Sequence, residues 1–169
     1  MRWGLTSLGA ALAAATAIAI VPAGGSSAQT GGRTITLFGD EHGGTSAFID
    51  NRPHSPVADP ESPKARASMG DQGYFTQTVR DTKGGKRVGK VFGTETVMSG
   101  TRFPHITDIV HAVFALTDGQ IIVEHALDES RKAVPAAVIG GTGAYVGARG
   151  TFTSKPGRSG NEYTITLLP

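Results

Sequence analysis

Segments in which every second residue is apolar recur along the chain from residue 33 onward, and no apolar repeat of helical period accompanies them. This alternation predicts β-strands that bury one face, because successive side chains of a strand point to opposite sides. Eight such strands are predicted, over residues 33–38, 72–80, 88–98, 107–116, 120–127, 136–139, 149–154 and 163–168. Many short strands joined by turns are typical of a sandwich or a barrel, and the pattern does not separate the two.

Turn-forming residues separate the predicted strands. A Gly-Gly pair within residues 81–86 predicts a tight hairpin, and Asp-Gly at 118–119 predicts another. Residues 40–64 contain four prolines and predict a long irregular excursion. Residues 128–134 are polar and fit either a loop or one helical turn.

Residues 1–28 are interpreted as a secretion signal that is removed from the mature protein. Arg2 gives a positive start, residues 8–21 form an alanine-rich apolar run, and residues 26–28 offer small side chains for cleavage. The run is short for a membrane span, although a retained anchor is the alternative. We therefore expect a secreted protein without stable membrane association, in which residues 29–169 form one domain.

The composition argues against several classes of function. The chain has no cysteine, so it has no disulfide framework, thiolate nucleophile or cysteine-based metal site. Its formal charge is only +2, and the small basic cluster in residues 83–87 fits a solvated turn better than a nucleic-acid surface. The histidines lack the spacing of zinc ligands, His105 and His111 being six residues apart. We expect no metal, no cofactor and no nucleic-acid partner.

Two stretches of the chain carry a family resemblance. Residues 69–97, MGDQGYFTQTVRDTKGGKRVGKVFGTETV, combine a Gly-Asp before a strand, a basic hairpin and an Arg-hydrophobic-Gly strand. Residues 136–153, AAVIGGTGAYVGARGTFT, contain a Gly-Gly-Thr-Gly turn followed by an aromatic residue and a glycine-rich strand. In both, the chain resembles the allene oxide cyclase and dirigent proteins. The resemblance implies an all-β fold, an eight-stranded antiparallel closed barrel with an apolar cavity and no cofactor, and it leaves a homodimer or homotrimer open.

The function that this resemblance implies is control of a reactive intermediate. Members of the family guide such intermediates to one ring or one stereoisomer, and similar bacterial barrels catalyse ring closures in polyketide pathways, including Diels–Alder-type reactions. We therefore expect a cofactor-independent cyclase or isomerase of natural-product biosynthesis, with a small hydrophobic, unsaturated substrate. A dirigent-like carrier that binds an apolar ligand without chemistry is the alternative, and a purely structural barrel is a third, since a fold alone does not fix a function.

Gln77 and Glu95 are the candidate catalytic residues. The resemblance places them where the plant cyclases keep an Asn and a Cys inside the barrel. Alternation groups both with apolar neighbours, so that they would project into the cavity and polarise a substrate, a buried acid having a raised pKa. The alternative is that Glu95 lies on a solvated outer face. The residues expected to contact the substrate are Phe75, Val79, Val91, Val97, Phe114 and Glu124.

Some parts of the family pattern are missing or ambiguous. The functional Glu and Asn on the first strand of the plant cyclases fall, by the resemblance, on Leu37 and Gly39. Cyclisation of an allene oxide itself is therefore not expected. Glu124 alternates with Val123 and His125, and this phase leaves open whether it lines the pocket or lies outside.

The Gly-Gly-Thr-Gly segment is predicted to be structural. Gly140, Gly141 and Gly143 permit positive φ angles and close approach of backbone. A dinucleotide-binding motif would need glycine where Val146 stands, and a helix where a strand is predicted. Aromatic residues at strand spacing are expected in the core or the cavity wall, namely Tyr74, Phe92, Phe103, Phe114, Tyr145 and Phe152.

Overall fold

The computed structural model of the protein describes residues 32–51, 66–102, 105–128, 135–157 and 160–169, with the main chain alone at 41–42 and 101–102. The predicted signal at 1–28, most of the proline-rich excursion and the segment 129–134 lie outside the described residues. The described part of the chain forms eight strands: β1 Arg33–Ile49, β2 Gln72–Arg80, β3 Arg87–Arg102, β4 His105–Leu116, β5 Gly119–Asp128, β6 Ala136–Gly143, β7 Gly150–Gly157 and β8 Gly160–Leu167. None of these described segments is a helix of the length and apolarity that a membrane crossing requires.

The eight strands form one closed antiparallel barrel. Each strand pairs with the next along the chain, and β8 pairs back with β1. The predicted all-β, eight-stranded antiparallel closed barrel is confirmed. Alternation explains the closure, because every strand has one apolar face and a barrel gives those faces a common interior. In β5, for example, Ile121, Val123, His125 and Leu127 are buried, while the residues between them are more exposed.

The first strand is longer than predicted because it continues through a β-bulge. Residues 33–40 pair with β8, while residues 38–39 and 44–49 pair with β2. The register with β2 shifts between Gly39 and Gly44. A bulge breaks the two-residue alternation from which the strand was predicted, so the continuation to Ile49 was missed. β1 thus pairs with β8 along its first half and with β2 mainly along its second half, and this double pairing closes the barrel.

The Gly-Gly-Thr-Gly segment belongs to β6 and to the turn that follows it. Gly143 has a positive φ of 61°, as the sequence suggested. Gly141 is not among the residues with positive φ; it is needed for close approach, because a Cβ there would lie 2.6 Å from the carbonyl oxygen of Gln120. The turn buries Tyr145, whose hydroxyl donates a 3.0 Å hydrogen bond to Asp118. Burial raises the pKa of Tyr145, and the contact with Asp118 raises it further.

The Gly-Asp pair before β2 also has a structural role. Asp71 is 1% exposed, and its carboxylate accepts hydrogen bonds from the backbone N–H groups of Asn51, at 2.7 Å, and Ser68, at 2.8 Å. Its carbonyl accepts a further bond from the N–H of Val97 on β3. Asp71 therefore fastens the chain on both sides of the β1–β2 connection to the neighbouring strand.

Three aromatic rings fill much of the barrel. Phe114 packs against Phe152 and Tyr163 with ring centres 5.4 Å and 5.3 Å apart, the second pair being nearly perpendicular at 78°. Of the aromatic residues expected inside, Phe114, Tyr145 and Phe152 are buried.

The expectation was wrong for Tyr74 and Phe92. These side chains are 36% and 46% exposed. They alternate with the inward residues Phe75 and Val91 and therefore lie on the outer face of the barrel. Phe103 lies outside the described residues.

Candidate active site in the barrel interior

A cavity lies inside the barrel beside the aromatic rings, and strands β2 to β8 contribute to its walls. The cavity has a volume of about 70 Å³. The walls are mainly valine, alanine, leucine and phenylalanine side chains. The polar side chains that line it and face the interior are Gln77, Glu95, His125, Ser154, Asn161 and Tyr163. An apolar cavity with a few convergent polar groups is the usual form of a small-molecule site.

Gln77 is held by a chain of hydrogen bonds that begins on β8. Asn161 Nδ2 donates to the hydroxyl oxygen of Tyr163 at 3.3 Å, and the Tyr163 hydroxyl donates to Gln77 Oε1. Both Gln77 and Tyr163 are buried, and this burial raises the pKa of Tyr163 to about 12 against a smaller opposing effect of Asn161. Because its oxygen accepts from Tyr163, the group that Gln77 offers to a ligand is the N–H of its amide.

A glycine on β1 makes the Gln77–Tyr163 contact possible. A Cβ on Gly39 would lie 2.6 Å from Gln77 Cδ and 2.8 Å from a ring carbon of Tyr163. Leu37 and Gly39 are both buried, in the phase that the resemblance assigned to the functional residues of the plant cyclases. These two interior positions of the first strand therefore hold an apolar side chain and a glycine that leaves space for the Gln77 amide.

Glu95 faces the interior and lines the cavity, so the alternative of a solvated outer face does not apply. It is in phase with the buried residues Val91 and Val97 on β3. Val110 stands directly opposite on β4, and Gly73 stands opposite on β2. The carboxyl group is thus brought to the cavity by strand phase alone.

A second carboxyl group, Asp108 on β4, lies close to Glu95. It is 0% exposed, and within the described residues neither of its oxygens has a hydrogen-bond donor. Burial raises the pKa of Asp108, and a side-chain contact with Glu95 offsets part of that increase. Asp108 does not itself line the cavity.

His125 on β5 completes the polar groups on this side of the barrel. Its side chain is buried and lines the cavity, and burial lowers its pKa. The neutral imidazole can donate from one nitrogen and accept at the other. Within the described ranges, no three His, Asp or Glu side chains converge as metal ligands would.

The structure brings together most of the residues selected from the sequence. The catalytic candidates Gln77 and Glu95, together with Phe75, Val91 and Phe114, line the cavity. Their roles in binding and catalysis stay predictions.

Three of the selected residues are placed differently. Val79 and Val97 are buried inside the barrel but lie outside the cavity wall. Glu124 borders the cavity through its strand, but its side chain is 52% exposed on the outer face, 3.6 Å from His111. Glu124 is therefore not placed to present its carboxyl group to a ligand.

Sequence reasoning missed Asp108, His125, Asn161 and Tyr163 as parts of the site. His125 and Tyr163 share the phase of buried residues on their own strands, so alternation could have placed them inside. Asp108 and Asn161 precede the apolar residues of their strands and look like ordinary polar strand ends. Only pairing between β3 and β4 brings Asp108 next to Glu95, whereas Asn161 lies two residues from Tyr163 on the same strand.

No family model and no curated protein matches this chain significantly. Among solved structures, it is similar to pyocyanin demethylase, with a TM-score of 0.59 and 21% identity over 80% of this chain and all of that one. An exo-specific intermolecular Diels-Alderase has a TM-score of 0.55 and 17% identity over 82% of this chain and 98% of that one.

A third similar structure is a nonspecific heme-binding cyclase that catalyses a [4 + 2] cycloaddition in neoabyssomicin biosynthesis. Its TM-score is 0.54, with 14% identity over 83% of this chain and 69% of that one. At such identities the likeness establishes the fold and leaves the activity open. The allene oxide cyclase family is not named by these structures, so that finer resemblance stays a prediction. The chain has the small barrel fold in which these enzymes are built.

Proposed function

We propose that the protein is a cofactor-independent cyclase that encloses a hydrophobic, unsaturated substrate and directs one stereochemical course of ring closure. In a closure of Diels–Alder type, two σ bonds form at the expense of two π bonds, and no atom is gained or lost. Such a step depends on holding the reacting carbons close together in one folded conformation. An apolar cavity that excludes water suits this task.

The observation that carries the proposal is the pair of hydrogen-bonding groups at the cavity. Gln77 is fixed by Tyr163 and presents its amide N–H, and Glu95 presents a carboxyl group from the neighbouring strand. Two groups at defined positions in an apolar space would orient an acceptor oxygen of the substrate and polarise the adjacent double bond. The remaining walls would fix the fold of the hydrocarbon chain.

The structural neighbours support this chemistry by analogy. Two of the similar structures are enzymes of [4 + 2] cycloaddition, and both share the barrel at TM-scores above 0.5. The pyocyanin demethylase barrel acts by different chemistry, so the neighbours alone do not decide the reaction. In our proposal, the hydrogen-bonding groups at the cavity support a cyclase.

The test is product formation from linear polyenes that carry a diene and an unsaturated carbonyl, followed by chiral analysis of the products. We expect Glu95→Gln, which keeps the shape and loses the acid, to lower turnover on the order of tenfold to a thousandfold. Glu162→Gln, an exposed acid of β8, is the matched control and should leave turnover unchanged. Ligand retention by the wild type without any turnover would contradict the cyclase and favour the carrier.

The proposed place of action is outside the cytoplasm, because residues 1–28 are predicted to be a secretion signal. The secreted chain should begin near Gln29, which mass analysis of protein from the culture medium would detect. A secreted chain that still contains residues 8–21 would contradict this part of the proposal.

A further inference from the structure

Asp108 is a buried carboxyl group placed beside a second one. It is fully buried on the inner face of β4, opposite Val97 of β3. Val110, the next inward residue of β4, stands opposite Glu95. Glu95 and Asp108 are therefore diagonal neighbours on the inner face of one antiparallel pair, within reach of each other's side chains.

The chemistry of two carboxyl groups restricts what this contact can be. An ionised carboxylate only accepts hydrogen bonds, so two ionised groups repel and cannot bond to each other. Neither oxygen of Asp108 has a donor within the described residues, although the Glu95 side chain touches it. The contact becomes a hydrogen bond only when one of the two groups keeps its proton.

We propose that Glu95 and Asp108 hold a single proton between them at neutral pH, with Asp108 as a positioning residue for Glu95. The proton belongs to the pair and not to either residue, as in other strongly interacting acids. Asp108 lies behind the cavity wall, while Glu95 lines the cavity and meets the ligand. The pair then retains a proton at a pH where an isolated glutamic acid is ionised.

The consequence for the ligand rests on the proposed function of the cavity. A shared proton lets Glu95 donate a hydrogen bond to an acceptor such as a carbonyl oxygen, and the Gln77 amide N–H is a second donor. Both donors stand among apolar walls. The ligand that fits is therefore an unsaturated carbonyl compound, because a plain hydrocarbon leaves the donors without partners.

The other titratable groups around the pair do not supply the missing partner within the described residues. His125 faces the same space from β5, and burial lowers its pKa and favours its neutral form. Asp71, in the segment before β2, directs its carboxylate to the backbone N–H groups of Asn51 and Ser68. These surroundings leave Glu95 as the described contact through which Asp108 shares a proton.

The test is infrared spectroscopy of the full chain in D₂O, read at the C=O stretch of protonated carboxyl groups. The wild type should show this band at pH 7. Asp108→Asn should remove it, because the amide donates to Glu95 and relieves the repulsion that retained the proton. Glu162→Gln should leave the band unchanged. A wild type without the band at pH 7, or a folded Asp108→Asn protein that keeps it, would overturn the proposal; the wild-type measurement decides even where the variant does not fold.

A pH profile of turnover separates this inference from the proposed function. In Asp108→Asn, Glu95 should lose its proton at a lower pH than in the wild type. We therefore expect kcat at pH 7 to fall about tenfold and to recover as the pH is lowered. A merely structural role would lower kcat equally at every pH and would contradict the positioning role. The infrared band at pH 7 without any turnover would support the acid pair and reject the cyclase. Turnover without the band would support the cyclase and reject the acid pair.

Discussion

The turn after β6 and the wall behind the cavity differ in whether their buried polar side chains have hydrogen-bond partners. In the turn that follows β6, the Tyr145 hydroxyl donates a hydrogen bond to Asp118 at 3.0 Å. Behind the cavity wall, Asp108 is 0% exposed, and its two oxygens have no donor within the described part of the chain. A satisfied polar group supports the fold, while an unsatisfied one lowers its stability. The bonded Tyr145 therefore supports the barrel, whereas Asp108 lowers its stability from behind a cavity whose buried polar groups Gln77 and Tyr163 are hydrogen-bonded.

The largest effect should follow from removing the ring that packs between the two regions. Phe114→Ala deletes a side chain that is 1% exposed and leaves a hole against Phe152 and Tyr163. We expect the free energy of unfolding to fall by about 3–5 kcal/mol, as measured by urea denaturation. Phe92→Ala on the outer face is the matched control and should change stability far less. Equal effects of the two variants would refute the inside–outside assignment.

The second prediction concerns the buried hydroxyl that holds Gln77. Burial raises the pKa of Tyr163 from its ordinary value of 10.0 to about 12 in the folded protein. The unfolded chain therefore loses this proton first, and the stability due to Tyr163 falls as the pH rises from 10 to 12, by about 3 kcal/mol in total.

Ultraviolet titration of tyrosinate checks that prediction directly. The chain has three tyrosines, and one ionisation should occur only near pH 12. Tyr163→Phe should abolish this late step, whereas Tyr74→Phe, at the outer face, should keep it. Loss of the late step in the Tyr74 variant would show that the buried hydroxyl was assigned to the wrong residue.

The third prediction concerns two neighbouring glycines at the end of β6. Gly141→Ala should destabilise the protein by about 1–3 kcal/mol, because the new methyl group would press on the backbone oxygen of Gln120. Its neighbour Gly140 has open space around the position of a Cβ, with nothing within 4 Å, so Gly140→Ala should be neutral or slightly stabilising. Thermal melting of both variants measures the difference. Similar melting temperatures would mean that close approach does not explain Gly141.

The smallest expected effect is a gain of stability at neutral pH, and it concerns Asp108. The pKa of Asp108 is raised from 3.8, so the unfolded chain ionises first and the protein loses stability as the pH rises above about 4. Asp108→Asn should remove that slope, so that the variant gains stability over the wild type at pH 7 compared with pH 4. Urea denaturation at several pH values measures the slope. An unchanged slope would place the raised pKa elsewhere.

Alternation predicted the strands well and failed where the backbone leaves its regular period. The bounds of β2 agree with the prediction at both ends. The continuation of β1 to Ile49 was hidden, because a bulge between Gly39 and Gly44 changes the face on which each side chain lies. Of the three glycines expected to allow positive φ or close approach of backbone, Gly143 has the positive φ, Gly141 has the close approach to Gln120, and Gly140 has neither.

Only part of the candidate site could be predicted from the sequence, for a related reason. Gln77 and Glu95 were found because each belongs to an apolar strand face and to the resembling motif. Tyr163 stands 86 residues from Gln77 along the chain, and their hydrogen bond depends on β8 closing back onto β1. No local pattern contains that information, since closure of the barrel depends on all eight strands at once.

The sequence by itself determined the all-β class of the fold and, within the regular strands, which residues share a face, since a two-residue period with glycine turns permits little else. Only the tertiary structure decided which inward groups meet. The register between β3 and β4 sets Asp108 diagonally beside Glu95, and a shift of one residue would turn every side chain of β4 to the other face. The pairing of strands decides which polar side chains contact each other, and for that reason the contacts around this cavity could be identified only in the closed barrel.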